Sequence, residues 1–313
     1  MASGQCNILI TGGCGFIAAN LIERLGQHGG FRVRAYDSEN LGKREHIAGL
    51  GAEFVHGDIR DAGALTQALR GVDAVVHLAA HTRVIESIGD PLHNFDVNAR
   101  GTLCLLEAMR QTGVRRLINA STGGAILGDV EPPVHERMLP RPIAPYGASK
   151  LSAEGYCSAY TGSYGISALS LRFSNVYGPR SYHKGSVVAA FLKQILAGRP
   201  VTIYGDGSQV RDYVFVSDLC DGIVAALKSE VTGTIQLGSG LPVSVNQLLD
   251  IMDGAVAPAK VERLYEPFRD GEIRHTYCDI TKAREALGFN PPTSLPAGVE
   301  RTWRWFVAHQ PGS

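Results

Sequence analysis

The stretch Thr11-Gly12-Gly13-Cys14-Gly15-Phe16-Ile17-Ala18 joins an apolar run, residues 7–11, to a segment with apolar residues at helical spacing, residues 16–25. A strand, a glycine-rich turn and a helix in this order are typical of the first unit of a dinucleotide-binding sheet. Because any turn between a strand and a helix can contain glycines, the prediction also depends on later segments of the chain.

Each residue of this turn has a predicted task. Gly12 permits the tight turn, and Gly15 lets the backbone approach a pyrophosphate. The helix directs the free N–H groups of its first turn, at Phe16 and Ile17, towards that anion, together with the positive end of its dipole. Ala18 stands where a third glycine is usual, and it is small enough for the helix to pack closely on the strand.

The first half of the chain alternates short apolar runs with helical patterns, which predicts right-handed βαβ units and a parallel sheet. After about residue 175 the pattern loosens and prolines become frequent. We therefore predict an α/β fold: a doubly wound, Rossmann-type domain over 1–175 and a smaller mixed α/β substrate-binding cap over 176–313, with some segments returning to the first domain. The predicted strands are 7–11, 32–36, 53–55, 74–78, 116–119, 201–204 and 213–216, and the predicted helices are 16–25, 61–69, 94–111, 187–197, 216–227, 245–252 and 296–306.

Composition argues against several classes of protein. Thirty Lys and Arg balance thirty Asp and Glu, whereas nucleic-acid binding normally needs a basic surplus. The sequence contains no apolar run of about 18 residues and no secretory signal pattern, so we expect neither a membrane span nor export. The six cysteines form no CxxC pair, which favours reduced thiols in a cytoplasmic protein. The ten histidines form no HExxH spacing, and we expect no metal site.

Further cofactor contacts are predicted where later strands end, because ligands of open α/β sheets bind at the carboxyl ends of the strands. Asp37 ends the second strand, where a carboxylate accepts from an adenosine ribose hydroxyl and repels a 2′-phosphate; this favours NAD over NADP. Asp58, followed by Ile59, is placed to bond the adenine amine. The small segment Leu78-Ala79-Ala80 lets the backbone approach the middle of the cofactor.

The pair Tyr146 and Lys150 is the predicted chemical centre. Residues four apart share one face of a helix, so the phenol and the ammonium group point the same way. A nearby cation favours the phenolate and lowers the tyrosine pKa towards working pH. The segment Ser121-Thr122-Gly123 ends an earlier strand and supplies hydroxyl groups near this pair.

These motifs together resemble the extended short-chain dehydrogenase/reductase family, specifically its nucleotide-sugar epimerases and dehydratases. The resemblance covers nearly the whole chain. The stretches that carry it are 11–17, Asp37, 57–58, 77–80, Asn98, 146–150 with Glu154, 171–180, 203–207, Gln209, 211–213, Asp218, Arg269, 271–272 and 279–283.

The resemblance implies a role for each matching residue. Tyr146 is the acid/base on a sugar hydroxyl, and Lys150 holds the nicotinamide ribose and tunes Tyr146. Asn98 and Phe173 lie close to the cofactor. The implied substrate is a UDP-sugar or another nucleoside-diphosphate sugar. Its candidate contacts are Thr122, Asn175, Ser186, Val187, Tyr204, Gln209, Arg211 and Arg269, with the two arginines on the diphosphate.

The segment 119–128 departs from the family's pattern. Gly123 stands where many relatives have Ser or Thr, and Leu127 replaces a usual tyrosine. The hydroxyl partner of Tyr146 must then be Thr122 or Ser121, or water; we favour Thr122, since adjacent strand residues face opposite ways and it lies closer to the family's position. Related dehydratases and decarboxylases carry acidic residues here, and residues 123–125 are Gly, Gly and Ala.

We therefore expect an NAD-dependent UDP-sugar 4-epimerase working through a 4-keto intermediate. The alternatives are a 4-ketosugar reductase, dehydratase or decarboxylase of a deoxysugar pathway, and a non-catalytic nucleotide sensor. The small residues at 123–124, with Thr276 where some relatives have an aromatic residue, predict a sugar subsite that accepts larger substituents. Arg83 or Arg274 could then meet a carboxylate.

The resemblance also implies a homodimer. Its interface would use the predicted helix 94–111 and the helix that carries Tyr146 and Lys150. The apolar residues predicted for this interface are Leu103, Leu105, Leu106, Ala153, Cys157 and Tyr160.

Overall fold

The computed structural model describes residues 5–268 and 273–310. A 3₁₀ turn at Arg44–Ile47 and a π-helical turn at Asp96–Arg100 accompany the regular elements. The strands are β1 (Cys6–Thr11), β2 (Phe31–Asp37), β3 (Glu53–His56), β4 (Ala74–His77), β5 (Arg116–Thr122), β6 (Ser167–Phe173), β7 (Asn175–Tyr177), β8 (Val201–Tyr204), β9 (Val210–Arg211), β10 (Tyr213–Phe215), β11 (Gly233–Leu237), β12 (Val243–Ser244) and β13 (Arg263–Glu266). The helices are α1 (Phe16–His28), α2 (Ala62–Ala68), α3 (Val84–Gly89), α4 (Pro91–Phe95), α5 (Gly101–Thr112), α6 (Gly124–Leu127), α7 (Pro145–Tyr164), α8 (Val187–Leu196), α9 (Val216–Lys228), α10 (Val245–Ala255), α11 (Thr281–Leu287) and α12 (Leu295–Ala308).

Seven strands form one parallel sheet in the order β11-β6-β5-β4-β1-β2-β3. The chain runs outward from β1 in one direction through β2 and β3, and in the other through β4, β5 and β6. The order therefore reverses between β1 and β4, and this switch point is where a doubly wound sheet binds its ligand. The predicted α/β class and parallel sheet are confirmed.

Both faces of this sheet are covered by helices. Ile8 and Ile10 of β1 face the layer that contains α1 and α9, and Leu9 between them faces the layer of α2, α5 and α7. Because alternate residues of a strand point to opposite faces, a strand that is buried on both sides needs an unbroken apolar run. This requirement explains the sequence of residues 7–11.

A second, smaller core lies in the later part of the chain. It is formed by α8, α10 and α12 with the short strands β8 and β10. Two elements that follow residue 175, β11 and α9, belong to the central sheet and its helical layer instead. The chain thus returns from this second core to the central sheet.

Two differences from the predicted elements lie close to the candidate site. The predicted helix 94–111 is divided into α4, the π-helical turn and α5. Strands β6 and β11 were not predicted, because their alternate positions are polar, at Ser170, Arg172 and Gln236, and these side chains are nevertheless buried. Among the described residues, no helix is both long enough and apolar enough to cross a bilayer.

Candidate active site

The glycine-rich turn has the geometry of an anion-binding turn. Gly12 has a φ of +66°, and a Cβ atom there would lie 2.7 Å from the backbone nitrogen of Ala79, so only glycine fits. A Cβ atom at Gly15 would meet only the Gly12 carbonyl oxygen, at 3.1 Å, among the described atoms. No side chain of the described chain caps the first turn of α1, so its N–H groups are available to a phosphate.

Asp37 is buried beside this turn. Its carboxylate accepts hydrogen bonds from the backbone N–H groups of Cys14, at 3.0 Å, and Glu39, at 2.7 Å. Burial raises the pKa of this carboxyl group, and the two backbone donors oppose that rise. The carboxylate therefore fixes the turn, and its remaining lone pairs can accept ribose hydroxyls.

Asp58 is held in an ion pair at the end of β3. Arg60 donates to both of its oxygens, at 2.9 and 2.6 Å, and to Asp96 at 2.9 Å. These hydrogen bonds lower the pKa of Asp58. Ile59 is buried beneath Gly101. These contacts within the protein order the end of β3 independently of an adenine base.

Asn98 organises the segment that follows β4. The side chain, on the π-helical turn, accepts from the backbone N–H of His81 at 2.8 Å and donates to the His81 carbonyl at 3.0 Å. It also donates to the hydroxyl of Ser149 on α7, at 3.0 Å. Asn98 therefore ties the cofactor-facing segment 78–81 to the helix of the chemical centre, a contact that spacing along the chain could not predict.

His77 is a packed core residue. Its ring lies between the hydroxyls of Thr11, at 2.6 Å, and Thr102, at 3.0 Å. Burial lowers the pKa of the imidazole to about 3, and the nearby charge of Lys150 contributes to this shift. His77 is therefore neutral and fixes the ends of β1 and β4.

Tyr146 lies in the first turn of α7 and is half-buried. Its backbone N–H donates to the hydroxyl of Ser87 on α3, at 3.1 Å, which fixes the start of the helix. Burial raises the pKa of the phenol to about 12, and a hydrogen bond with the Thr122 hydroxyl opposes that rise. The phenol thus needs a further positive charge nearby to ionise at ordinary pH.

Lys150 is one turn further along α7 and is buried. Its ammonium group donates to the backbone carbonyl of Ala120 on β5, at 3.0 Å. Burial lowers its pKa to about 8, while Cys157 and Glu154 act in the opposite direction. Tyr146 and Lys150 share a face of α7, as their spacing predicts, and they lie at the carboxyl end of the sheet.

The two hydroxyls at the end of β5 have different surroundings. The Thr122 hydroxyl lowers the pKa of the Tyr146 phenol. The Ser121 side chain is buried, and within the described chain its oxygen has no hydrogen-bond partner. Thr122 is the last residue of the strand.

Comparison with known proteins identifies the family. Residues 8–238 match the model of the NAD dependent epimerase/dehydratase family. The chain belongs to this family. It is 37% identical over 309 residues to a UDP-glucose 4-epimerase from Mycolicibacterium smegmatis, covering 95% of this chain and 97% of the relative.

Solved structures agree with this assignment. A UDP-glucose 4-epimerase from Thermotoga maritima, crystallised with UDP-glucose, superposes with a TM-score of 0.92 at 36% identity, covering 96% of this chain and 99% of that one. A UDP-glucuronic acid 4-epimerase from Bacillus cereus, crystallised with UDP-glucuronic acid and NAD, gives 0.89 at 30% identity, with 96% and 99% covered. The proteins to which this chain is similar thus act on different UDP-sugars.

NAD is the cofactor of this chain, as its family implies, and the residues present fit it. The open backbone at Gly15, the uncapped first turn of α1 and the carboxylate of Asp37 offer donors to a pyrophosphate and acceptors to a ribose. Phe173 ends β6 beside Thr122, in register with it.

The candidate substrate residues come from several segments of the cap. The Asn175 backbone N–H donates to the Asp212 carbonyl at 2.9 Å, and Arg211 donates to the carbonyls of Val210, at 2.8 Å, and Arg274, at 3.1 Å. Gln209 donates to the Tyr204 carbonyl at 2.8 Å. Ser186 and Val187 form the N-terminus of α8. Arg269 lies outside the described residues.

Asp212 was not among the predicted site residues, yet it holds this region together. Its buried carboxylate accepts from the backbone N–H groups of Ser239, at 2.7 Å, and Gly240, at 3.0 Å, and from the thiol of Cys278, at 3.1 Å. It thereby joins the loops on both sides of Arg211. The contacts span 27 to 66 residues of sequence, which explains why no local pattern indicated them.

Proposed function

We propose that this protein is a UDP-sugar 4-epimerase that inverts C4 through a 4-keto intermediate. The observation that supports the proposal best is the cluster of Tyr146, Thr122 and Lys150 at the carboxyl end of the sheet. The acidic residues that a dehydratase or a decarboxylase would need are missing from 123–125, which are Gly, Gly and Ala.

The chain's own residues account for the proton chemistry. Thr122 stabilises the phenolate form of Tyr146 by donating a hydrogen bond, and this phenolate takes the proton from the sugar O4 and becomes the neutral phenol. The Lys150 ammonium group adds positive charge, which offsets the effect of burial on the phenol. The chemistry that bound NAD supplies is reversible hydride transfer at C4.

Epimerisation also requires a firmly held nucleotide and a loosely held sugar, since the 4-keto sugar has to turn over before the hydride returns. Arg211 and Arg269 are proposed for the diphosphate, because guanidinium groups match phosphate oxygens in two-point hydrogen bonds. Asn175, with Ser186 and Val187 at the start of α8, is proposed for the same anion, and Tyr204 and Gln209 for the uridine.

The sugar subsite is proposed to accept bulky substituents. A Cβ atom at Gly124 would lie 3.2 Å from the hydroxyl of Thr276, so two small residues face each other here. An aromatic side chain at either position would extend further into the site than Gly124 or Thr276 does. N-acetylated or C6-carboxylated sugars are therefore proposed alongside UDP-glucose, with Arg83 or Arg274 as the partner of a carboxylate.

The proposal is tested with purified protein and no added nucleotide cofactor. UDP-glucose, UDP-N-acetylglucosamine, UDP-glucuronate and the corresponding dTDP-sugars are incubated separately, and products are resolved by NMR. A C4 epimer formed with NAD that co-purifies supports the epimerase. Turnover only with added reduced cofactor and a 4-ketosugar would instead identify a reductase, and binding without turnover of any substrate would identify a sensor. If UDP-glucose alone is accepted, the proposal of an open subsite is wrong.

Thr122 and Ser121 can be distinguished by substitution. Thr122→Val is expected to slow turnover by about 10–100-fold, because it removes a hydrogen bond to the charged phenolate, which is worth about 1.5–3 kcal/mol. Ser121→Ala should stay within about fivefold of wild type, because the Ser121 hydroxyl has no hydrogen-bond partner among the described residues. Steady-state kinetics on the best substrate measures both. If Ser121→Ala loses most of its turnover and Thr122→Val turns over at the wild-type rate, the assignment is reversed.

We propose a homodimer through the region of the predicted helices, but with other apolar side chains than those first named. Leu105, Leu106, Ala153, Cys157 and Tyr160 pack within the subunit, so they are buried before any partner binds. Exposed apolar side chains lie on α3, α4 and α7, and exposed apolar surface is typical of an interface. They are Ile85, Ile88, Leu92, Phe95 and Tyr156.

Leu92, which is 79% exposed, offers a test of this interface. The wild-type protein is expected to have a dimeric mass by light scattering at micromolar concentration, and Leu92→Glu a monomeric one, because it places a charge in an apolar contact. Val307→Glu is the control, since Val307 is also exposed but lies on α12. A monomeric wild type, or an unchanged mass in Leu92→Glu, contradicts the proposal.

A further inference from the structure

Three buried polar side chains lie side by side across the carboxyl end of the sheet. Ser121 is in register with Arg172, and Arg172 with Gln236, on the adjacent parallel strands β5, β6 and β11. Residues in register on parallel strands point to the same face, here the face against which α7 packs. Their exposed fractions are 5%, 4% and 0%. We call these three side chains the polar row.

Each member of the polar row has a polar atom without a hydrogen-bond partner among the described residues: Ser121 Oγ, Arg172 Nη1, and both Nε2 and Oε1 of Gln236. Glu154 satisfies only the other two nitrogens of Arg172. A buried polar group without a partner costs about 1–3 kcal/mol, so a folded protein rarely leaves several together. An internal water typically bonds two to four such groups.

Gln236 lies directly beneath the turn that follows Thr122. A Cβ atom at Gly123 would be 2.6 Å from Gln236 Oε1 and 3.5 Å from Nε2. Gly123 has φ −76° and ψ −64°, a conformation open to any residue. Glycine is therefore needed at position 123 because the Gln236 amide lies so close to it, and not because the backbone conformation requires glycine.

We propose that Gln236 is a positioning residue for the reaction: through internal water in the polar row, its amide anchors the turn at Gly123 and so holds Thr122 against Tyr146. The backbone of Gln236 is itself fixed, since its N–H donates to the Glu136 carboxylate at 2.7 Å. The inference rests on the proposed function, because it assigns Gln236 an effect on the proton chemistry of Tyr146.

The variant Gln236→Met keeps the length of the side chain and removes both polar atoms. Because the turn loses its anchor, kcat is expected to fall by about three- to tenfold, as for one hydrogen bond. The rise of kcat with pH, which reports ionisation of Tyr146, should move to higher pH by about 0.5, since the Thr122 hydrogen bond that lowers the phenol pKa is loosened. The amount of NAD that co-purifies should not change.

Asn119→Leu is the matched control. Asn119 lies two residues before Ser121 on the same face of β5, is equally buried, and likewise has an oxygen without a partner in the described chain. Loss of stability should be similar in the two variants, but only Gln236→Met should shift the pH profile. In a Thr122→Val background, Gln236→Met should cause no further shift. A shift in Asn119→Leu, or one that persists without the Thr122 hydroxyl, overturns the inference.

Gly123→Ala tests the same contact from the other side and covers the case in which Gln236→Met does not fold. Its Cβ atom would displace the amide, so the same kinetic signature is expected. Crystal structures separate this inference from the proposed function, because they need no turnover. Water bonded to Gln236 in the wild type, and a Thr122–Tyr146 contact that is lost in either variant, support it even if no sugar is epimerised. An unchanged contact in the variants, or a polar row without bound water, overturns it.

Discussion

Tyr146→Phe is expected to abolish most turnover while leaving the binding of NAD and of nucleotide-sugar nearly intact. The change deletes one oxygen, the group proposed to take the O4 proton, and loss of general acid–base catalysis typically costs about 10²–10⁴-fold. The backbone N–H of residue 146 would still donate to Ser87, so the start of α7 should be preserved. Single-turnover kinetics and equilibrium binding of UDP separate the two effects.

Lys150→Ala provides the contrasting variant. The ammonium group is proposed both to hold the nicotinamide ribose and to stabilise the phenolate, so this change should lower cofactor retention as well as rate. NAD released on denaturation measures retention. If Tyr146→Phe keeps more than about a tenth of the wild-type rate, the proton is taken by another group.

The elements that the sequence predicted best are those whose function depends on local spacing. The turn at Gly12 and Gly15 needs neighbours only a few residues away, and Tyr146 and Lys150 share a helix face because of the α-helical repeat. The positive φ at Gly12 was likewise predictable from the type of turn. These features do not depend on which distant strand lies beside them.

The features that the sequence did not predict depend on pairing between distant strands. Gln236 is brought beside Arg172 and beneath Gly123 only because β11 returns to the edge of β6. The polar residues of β6 and β11 interrupt the apolar pattern by which strands are predicted. Ser170 accepts from Asn119 of β5 and Arg172 donates to Glu154 of α7, and neither contact follows from local sequence. Similarly, the choice of Thr122 over Ser121 depends on where the strand ends relative to Tyr146.

Glu154 and Arg172 form an ion pair of this long-range kind. Arg172 Nε and Nη2 donate to the two carboxylate oxygens, at 2.9 and 2.7 Å, and both side chains are buried. The pair joins α7 to β6 directly below Lys150. Because both charges have left water, each depends on the other for its stabilisation.

Glu154→Gln is therefore expected to lower the free energy of unfolding by about 3–5 kcal/mol, since it leaves the Arg172 charge buried without its counterion. Urea unfolding followed by circular dichroism measures the change. Glu300→Gln is the control, because the Glu300–Arg304 pair on α12 is exposed and its loss should cost about 0.5 kcal/mol or less. An equal effect of the two substitutions would show that the buried pair contributes no more than a surface pair.

The double variant Glu154→Leu with Arg172→Met should recover most of the lost stability, because replacing both charges with apolar side chains removes the unpaired ion as well. The pH dependence of turnover gives a separate test in Glu154→Gln. Glu154 raises the pKa of Lys150 against the larger effect of burial, so without its charge the ammonium group should lose its proton at lower pH. The alkaline limit of activity should then move to lower pH. If the free energy of unfolding falls but the alkaline limit of activity does not move, Glu154 supports the fold but not the charge of Lys150.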